Sequence, residues 1–345
     1  MRTKDFSYHL PEHLIAQRPL KHRLDSRLLV LNRFDGARRH TAFSEFHTYL
    51  RKGDVLVLND TAVLPARLIG RKEKTDAVVE VLFLREVDTD RWECLVGNAK
   101  RVKKETRLSF GDGELLMRCV RVKEEGLRDF DLEYDGDLYD ILDHLGEMPL
   151  PPYIHETLDD PERYQTVYRR EKGSAAAPTA GLHFTEDYLR TIRNMGVEIV
   201  HITLHVGLGT FRPVKVDRVE NHHMHEEYYS VGSETARRIN EAKRDGRRVV
   251  AVGTTSTRTL ETIADGEGLI EAKSGMSDLF IYPGYTFRCV DCLLTNFHLP
   301  ESTLLMMVSA FASREIILDA YEEAVEKKYR FFSFGDAMFL TDEKL

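Results

Sequence analysis

The residues of this chain that could carry out chemistry lie in short polar loops, most of which follow an apolar, strand-like run. In the stretch 249–261 a run rich in valine ends at Gly253, and five hydroxyl residues follow with Arg258 among them. The hydroxyl residues are Thr254, Thr255, Ser256, Thr257 and Thr259. This pattern predicts a buried strand, a tight turn and a helix whose first N–H groups are capped by hydroxyls. Such a helix start attracts a carboxylate or phosphate, although an ordinary capped turn is the alternative.

Two further loops are rich in small residues. Residues 174–184 include Thr179, Gly181 and His183, and small side chains let a backbone approach a ligand closely. After the strand-like run 197–204 come His205, Gly207, Gly209, Thr210 and Arg212. The two glycines superficially match a dinucleotide-binding loop, but the Phe-Arg-Pro that follows cannot begin a helix there. A Rossmann-type nucleotide site is therefore not favoured.

Polar residues mark three other places. The segment 222–227 holds three histidines and two carboxylates, which could bind zinc, but the H-E-x-x-H spacing is absent. Because imidazole changes charge near neutral pH, a titrating role for His225 and Glu227 is favoured over a metal site. Asn59 and Asp60 end one apolar strand, and Asn296 and His298 end another. Open α/β sheets bind ligands at such strand ends, although Asn59 and Asp60 could equally form a plain turn.

Composition limits the class of protein. The chain has 345 residues, 42% of them hydrophobic, which allows two folded domains. We expect a cytoplasmic protein without membrane contact, because no apolar run could span a bilayer and no signal core begins the chain. Cys289 and Cys292 form a C-x-x-C without a second pair, so we expect neither a disulfide framework nor a metal site. A net charge of −8 permits at most a local basic patch for nucleic acid.

The texture of the sequence changes in the middle of the chain. Six short alternating segments follow one another over 63–154, separated by turn residues and with no room for crossover helices. They are 66–70, 77–84, 92–96, 106–110, 114–122 and 128–134. This pattern predicts a small antiparallel β-barrel inserted into a larger α/β domain with a mixed sheet, formed by 1–62 and 155–345. The basic run 100–107 in the insert fits either a solvated strand end or an edge that contacts RNA phosphates.

Three smaller predictions concern elements near the loops. Residues 278–282 have the composition of a strand, and Ser302 is expected to cap an apolar helix over 303–311. The aromatic run 329–338 is expected to pack in the core.

Taken together, these segments resemble the S-adenosylmethionine:tRNA ribosyltransferase-isomerase family of queuosine biosynthesis. The matching stretches, in chain order, are VLNDTAVLPAR (57–67), AAAPTAGLHF (175–184), LHVGLGTFRP (204–213), HHMHEE (222–227), VGTTSTRTLE (252–261), FIYPGY (280–285), LLTNFHLPESTLL (293–305) and YRFFSFGDAM (329–338). Eight long matches in the same order are far more specific than a single glycine motif.

The resemblance implies a large α/β domain interrupted by a β-barrel, and an unusual reaction. The enzyme would transfer and isomerise the ribosyl part of S-adenosylmethionine onto 7-aminomethyl-7-deazaguanine at the wobble position of a tRNA anticodon. The products would be epoxyqueuosine-tRNA, adenine and methionine. No metal or cofactor is expected, because S-adenosylmethionine is a consumed substrate, and the oligomeric state is left open.

This chemistry needs a base at the 5′-carbon, an acid for the departing adenine, and groups that anchor methionine and RNA. The expected acids and bases are His183, His205, His225, Glu227 and His298, although each histidine could instead make a structural hydrogen bond. The expected anchors for the methionine carboxylate or a tRNA phosphate are Arg212, Arg258 and the hydroxyls Thr254, Thr255, Ser256 and Thr257. Gly207 and Gly209 would let the backbone approach adenosine, and Asn59, Asp60 and Arg67 would lie near the anticodon. Thr179, Gly181, Thr210 and Asn296 complete the expected substrate-binding set.

Two other functions compete with this one. An S-adenosylmethionine-dependent RNA methyltransferase would need a G-x-G loop after its first strand and an acidic residue after its second, and neither is found. A non-catalytic tRNA-binding protein would not need polar loops at so many strand ends. Product analysis separates the three.

Overall fold

A computed structural model describes residues 1–207 and 214–345, which form two compact units. The first comprises Met1–Thr61, Pro152–Glu171 and Ala177–Leu345, and the second Ala62–Pro151 with Lys172–Ala176. The sequence analysis placed the insert at 63–154, without the segment 172–176. That segment joins the second unit, where the carbonyl of Ser174 accepts a 3.0 Å hydrogen bond from the N–H of Leu64.

The described residues form seventeen strands and six α-helices, besides short 3-10 turns. The strands are β1 (Arg27–Asn32), β2 (Arg38–Ala42), β3 (Val55–Asn59), β4 (Thr61–Val63), β5 (Arg67–Lys72), β6 (Val78–Asp88), β7 (Arg91–Val96), β8 (Arg107–Phe110), β9 (Leu115–Val122), β10 (Leu127–Tyr134), β11 (Glu171–Ser174), β12 (Glu198–Leu204), β13 (Glu227–Val231), β14 (Val249–Val252), β15 (Lys273–Ser277), β16 (Cys292–Asn296) and β17 (Ala337–Thr341). The helices are α1 (Leu138–Leu145), α2 (Glu186–Asn194), α3 (Ser233–Arg244), α4 (Gly253–Ile263), α5 (Thr303–Phe311) and α6 (Arg314–Glu326). None of the described helices is long and apolar enough to cross a membrane.

The first unit is built on a mixed sheet of nine strands in the order β15-β13-β12-β3-β14-β16-β17-β1-β2. Its centre is parallel, since β12 and β14 both pair in parallel with β3, and β14 pairs in parallel with β16. Every residue of β3, β14 and β16 is buried, as expected for central strands covered on both faces. The parallel arrangement brings the carboxyl ends of β12, β3, β14 and β16 to one edge of the sheet.

The second unit is a closed six-stranded barrel, β10-β7-β6-β5-β8-β9, in which neighbouring strands are antiparallel. Alternate residues such as Leu68, Val81 and Phe130 point inward and are fully buried. The alternating pattern predicted each of these strands to within a few residues. The predicted fold class, a mixed α/β domain with an inserted antiparallel barrel, is confirmed.

One predicted strand is wrong. Residues 278–282 form no strand, whereas Lys273–Ser277 immediately before them forms β15 at the edge of the sheet. Both segments are short, and 278–282 is the more hydrophobic of the two. The segment that forms the edge strand is nevertheless the one whose backbone pairs with β13, where Tyr229 lies opposite Gly275. The capping prediction at α5 is confirmed, because the Ser302 hydroxyl accepts a hydrogen bond from the N–H of Leu305 at 3.2 Å.

Candidate active site

A cavity of about 310 Å³ lies in the first unit at the carboxyl ends of the parallel strands. Its described wall comes from the residues after β12, β14 and β16, the turn 177–180, the N-terminal end of α5 and the loop before β17. This is the edge at which open α/β sheets bind their ligands, and the volume is within the range of small-molecule sites. The described lining residues are Tyr153, Ala177, Pro178, Thr179, Ala180, Val206, Val214, Gly253, Thr254, Thr255, Thr295, Asn296, Phe297, His298, Leu299, Pro300, Glu301, Ser302, Leu304, Phe332 and Ser333.

The N-terminus of α4 opens into this cavity through Gly253, Thr254 and Thr255. Gly253 has a φ of 86°, a left-handed conformation that a residue without Cβ adopts easily, and it turns the chain from β14 into the helix. The predicted hydroxyl cap is wrong, because no side chain caps α4. The hydroxyl of Thr257 instead donates to the carbonyl of Gly253, one turn back along the helix, at 3.1 Å. The first N–H groups of α4 therefore stay without a side-chain cap and form a partly positive end.

Two threonines at this helix end line the cavity, and one of them has a hydroxyl without a hydrogen-bond partner among the described residues. The Oγ1 atom of Thr255 is buried and has no hydrogen-bond partner among the described residues. Thr254 also lines the cavity and is 9% exposed. A buried hydroxyl without a hydrogen-bond partner costs free energy. A ligand oxygen placed here would accept the hydrogen bond that the hydroxyl of Thr255 does not make within the described protein. The other two hydroxyl residues of the expected set, Ser256 and Thr257, are fully buried and do not line the cavity.

His183 is fixed by a hydrogen-bond network behind the cavity wall. Its Nε2 accepts from the amide nitrogen of Asn296 at 3.2 Å, and its Nδ1 lies 3.0 Å from the hydroxyl of Ser26. Thr179 completes the network by donating to Oδ1 of Asn296 at 3.3 Å. Burial lowers the pKa of His183 to about 3, so the ring is neutral near pH 7 and positions Asn296 rather than carrying a proton.

His298 lines the cavity directly. Its Nε2 is 2.9 Å from the hydroxyl of Thr295, and its backbone is held by Tyr8 and Tyr321. Burial lowers the pKa of this imidazole to about 3, so it is also neutral near pH 7. A neutral imidazole of this kind can exchange hydrogen bonds with a ligand, but it accepts a proton poorly.

Glu227 and Arg258 form a buried ion pair, with Nη1 2.6 Å from Oε2. Arg258 also donates to the carbonyls of His225 and Ser277, at 2.8 and 2.7 Å. The other oxygen of Glu227 accepts from the N–H of Gly207 at 2.9 Å. Both terminal nitrogens of this guanidinium are therefore bound to protein partners, whereas its buried Nε has no hydrogen-bond partner among the described residues. The role of Arg258 as an anion anchor stays a prediction. The imidazole of His225 is exposed, and it does not line the cavity.

The remaining expected residues are held by the protein itself. His205 is half-buried, with Nδ1 2.7 Å from the hydroxyl of Thr61, and burial lowers its pKa to about 4. Asn59 bridges β3 and β12 by donating to the carbonyl of Leu204 and accepting from its N–H, both at 3.0 Å. Asp60 accepts from the hydroxyl of Thr203 at 2.8 Å, and burial raises the pKa of its carboxyl.

Gly181 and Arg67 also have structural partners. A Cβ on Gly181 would lie 2.0 Å from the hydroxyl oxygen of Tyr168, so packing rather than a ligand requires glycine there. Arg67 lies on β5 of the barrel and pairs with Glu80 at 2.9 Å. Three expected residues, Gly209, Thr210 and Arg212, lie outside the described residues.

Several cavity residues were missed by the sequence analysis. Glu301 is the one carboxylic acid among the described lining residues, and it is half-buried with a φ of 59°. Phe332, assigned to the core from sequence, also lines the cavity and has a φ of 72°. Left-handed backbone is uncommon for residues other than glycine and concentrates at functional sites. The position of Glu301 directly before the helix cap Ser302 was the available signal, but its conformation could not be read from sequence.

Metal binding has no support in the described part of the chain, where no group of three histidine, cysteine or carboxylate side chains is arranged to hold an ion. Cys289 and Cys292 are both buried and free, and burial raises the pKa of the Cys292 thiol to about 11. Burial therefore favours the protonated thiol at both residues.

A cavity at the strand ends of a parallel-centred sheet defines the first unit as a ligand-binding α/β domain, here accompanied by a closed barrel. The family model described as queuosine biosynthesis protein matches residues 3–340. The chain therefore belongs to the queuosine biosynthesis protein family, and the resemblance drawn from its loops is confirmed. It is also similar to a crystal structure of the S-adenosylmethionine tRNA ribosyltransferase of Thermotoga maritima, with 38% identity and a TM-score of 0.56 over 97% of this chain and 99% of that one.

Proposed function

We propose that this chain transfers the ribosyl part of S-adenosylmethionine to a tRNA in queuosine biosynthesis. The family match over residues 3–340 and the similarity to a protein named as an S-adenosylmethionine tRNA ribosyltransferase support this activity. The structural observation that carries the proposal is the cavity at the strand ends, which is lined by the uncapped start of α4, by His298 and by Glu301.

The acceptor in this proposal is 7-aminomethyl-7-deazaguanine at the wobble position of the anticodon. A base removes a proton from the 5′-carbon beside the sulfonium, and the electron pair left there forms the C4′–C5′ double bond of a vinyl sulfonium as the C4′–O4′ bond breaks. O4′ becomes the oxygen of an aldehyde at C1′, and adenine leaves with the glycosidic electron pair. The exocyclic amine then adds to C4′ of the vinyl sulfonium, and the ylide formed at C5′ attacks the aldehyde carbon C1′ and closes a carbocycle. The alkoxide on C1′ finally displaces methionine from C5′ and closes the epoxide. The products are epoxyqueuosine-tRNA, adenine and methionine, and no cofactor is consumed besides the nucleoside.

The methionine carboxylate is assigned to the N-terminus of α4. The uncapped N–H groups at Gly253, Thr254 and Thr255 supply donors and a partial positive charge at this point. The unpartnered hydroxyl of Thr255 adds a further donor. Arg258 contributes indirectly, because its pair with Glu227 ties the strands β13 and β15 to α4.

The removal of the proton from the 5′-carbon is assigned to the carboxylate of Glu301. Its carboxylate belongs to the cavity wall, and a negative charge there also attracts the sulfonium. His298 is assigned to the departing adenine, to which a neutral imidazole can offer a hydrogen bond without first taking up a proton. This division of roles replaces the earlier expectation that His183 or His205 titrates, since both rings are neutral and engaged with protein groups.

The test is a product analysis with tRNA that carries 7-aminomethyl-7-deazaguanine and with S-adenosylmethionine labelled separately in its ribose and its methyl group. We expect ribose label in the RNA, and free adenine and methionine in equal amounts. Methyl label in the RNA with S-adenosylhomocysteine would mean a methyltransferase, and absence of turnover despite tRNA binding would mean a non-catalytic binding protein. The cytoplasm is the compartment that we propose for this reaction.

A further inference from the structure

The connection between β7 and β8 presents a row of basic side chains on the barrel. We call residues 99–107 the basic segment; its five basic residues are Lys100, Arg101, Lys103, Lys104 and Arg107, and all five are exposed. Val102, between them, is 1% exposed and belongs to the barrel core. The apolar side chain thus anchors the segment from inside while the charges face solvent.

These charges are not neutralised by neighbouring carboxylates. Within the described part of the chain none of the five basic side chains forms an ion pair, whereas Arg67, Arg71, Arg85, Arg91 and Arg118 on the same barrel all do. Glu105, the single acid within the segment, pairs with Arg118 instead. An exposed basic side chain without a partner is free to contact an anion.

A buried arginine holds the segment in place from below. Arg128 is 6% exposed, and its guanidinium donates to the carbonyls of Ala99 at 2.8 Å and Val102 at 3.0 Å. Two further bonds reach the carbonyls of Lys123 and Leu127, at 3.0 and 2.7 Å. No carboxylate within the described residues pairs with it, so its charge adds to the positive potential of the segment instead of cancelling it. Lys72 also donates to the carbonyl of Arg101.

The positive charge of the basic segment is a local feature of the barrel. Acidic residues outnumber basic ones over 62–151, and the whole chain has a net charge of −8. A protein interface would call for a core of exposed apolar side chains, and the basic segment exposes no large apolar residue. A narrow basic row of this kind fits a line of phosphates, as in nucleic-acid backbones.

We propose that the basic segment binds the phosphate backbone of the tRNA substrate. The inference rests on the proposed function for the identity of the RNA, and it adds the surface that grips it. Phosphate contacts position an RNA without reading its sequence, so the segment supplies affinity while the choice of base is left to the cavity. Arg128 acts as a positioning residue, because it fixes the backbone that carries the lysines.

The test compares tRNA binding by the wild type and by the triple variant Lys100→Gln, Lys103→Gln and Lys104→Gln as the salt concentration is varied. Each lost phosphate contact should make the slope of log affinity against log salt less steep by about 0.7–0.9. The triple variant should therefore lose about 2–3 from the slope. The affinity ratio between wild type and variant should shrink about 20-fold to 40-fold between about 50 and 200 mM salt.

A matched control removes the same charge elsewhere. Lys52, Lys273 and Lys344 are exposed lysines of the first unit, and their triple change to glutamine should leave the salt slope at the wild-type value. An unchanged slope in the first triple variant, or an equal loss in both variants, overturns the proposed surface.

Failure of the surface and failure of the function give different results. If the wild type transfers ribose but the first triple variant keeps the wild-type slope, the surface is wrong and the function stands. If the wild type produces no adenine, but the first triple variant alone shows a less steep dependence of log affinity on log salt, the proposed reaction is wrong. The basic segment then remains an RNA-binding surface. If both hold, the triple variant should keep the wild-type kcat at saturating tRNA and show a raised KM.

Discussion

The pair between Arg258 and Glu227 permits a quantitative test of whether Arg258 is structural or binds substrate. The two side chains are 5% and 4% exposed, and their closest atoms are 2.6 Å apart. Arg258→Met removes the guanidinium that pairs with the buried carboxylate of Glu227, while the N–H of Gly207 still donates to that carboxylate. Removing one member of a buried pair costs about 3–5 kcal/mol, because the other charge stays desolvated without compensation.

This free energy translates into a large thermal shift. A unit of this size loses about 2–4 °C in Tm for each kcal/mol, so Arg258→Met should lower Tm by about 6–20 °C. The double variant Arg258→Met with Glu227→Met removes both charges and should recover part of that loss. We therefore expect the double variant to be more stable than the sum of the two single effects indicates, by more than about 1 kcal/mol.

The measurement is scanning calorimetry of the four proteins, combined with the KM for S-adenosylmethionine. A structural pair predicts a lowered Tm and strong coupling in the double-variant cycle. An anion anchor predicts instead a raised KM with a Tm within about 2 °C of the wild type, since no buried charge would be stranded. The second result would refute the reasoning and return Arg258 to the substrate-binding set.

Three other predictions follow from the site and its surroundings. Glu301→Gln should lower kcat about 100-fold to 10,000-fold with little change in Tm. As a control, Glu322→Gln changes an exposed residue of α6 and should leave kcat unaltered. A near-normal kcat for Glu301→Gln would exclude Glu301 as the base. His183 and His298 have folded-state pKa values of about 3, below the unfolded value of about 6.5, so each should contribute stability that is present above pH 6.5 and lost as the pH falls from there toward 3. Urea unfolding should show a loss of about 2 kcal/mol per histidine between about pH 7 and pH 5, and His298→Asn should flatten that dependence; an unchanged slope would mean that the ring is not buried neutral. Finally, Cys289 and Cys292 should react with a thiol reagent only after unfolding, because both are buried and protonated, and rapid labelling of the native protein would contradict this packing.

The sequence by itself determined the elements and the family of this protein. The short alternating segments within 66–134 predicted the barrel, because alternation of apolar and polar residues is typical of strands with one face in a core. The valine-rich run before Gly253 identified β14 and the start of α4, and Ser302 identified the start of α5. The ordered loop motifs identified the queuosine biosynthesis family.

Only the tertiary structure decided which polar residues face the cavity. A motif gives residue types, but the direction of a side chain depends on the partner that it meets across many positions of sequence. Arg258 meets Glu227, 31 positions earlier, and His183 meets Asn296, 113 positions later, so both turn into the protein. Glu301 and Phe332 line the cavity, and both have left-handed backbone conformations that the local sequence pattern did not predict. Desolvation, which sets the protonation of His183 and His298, is likewise a property of the packed chain and not of its sequence.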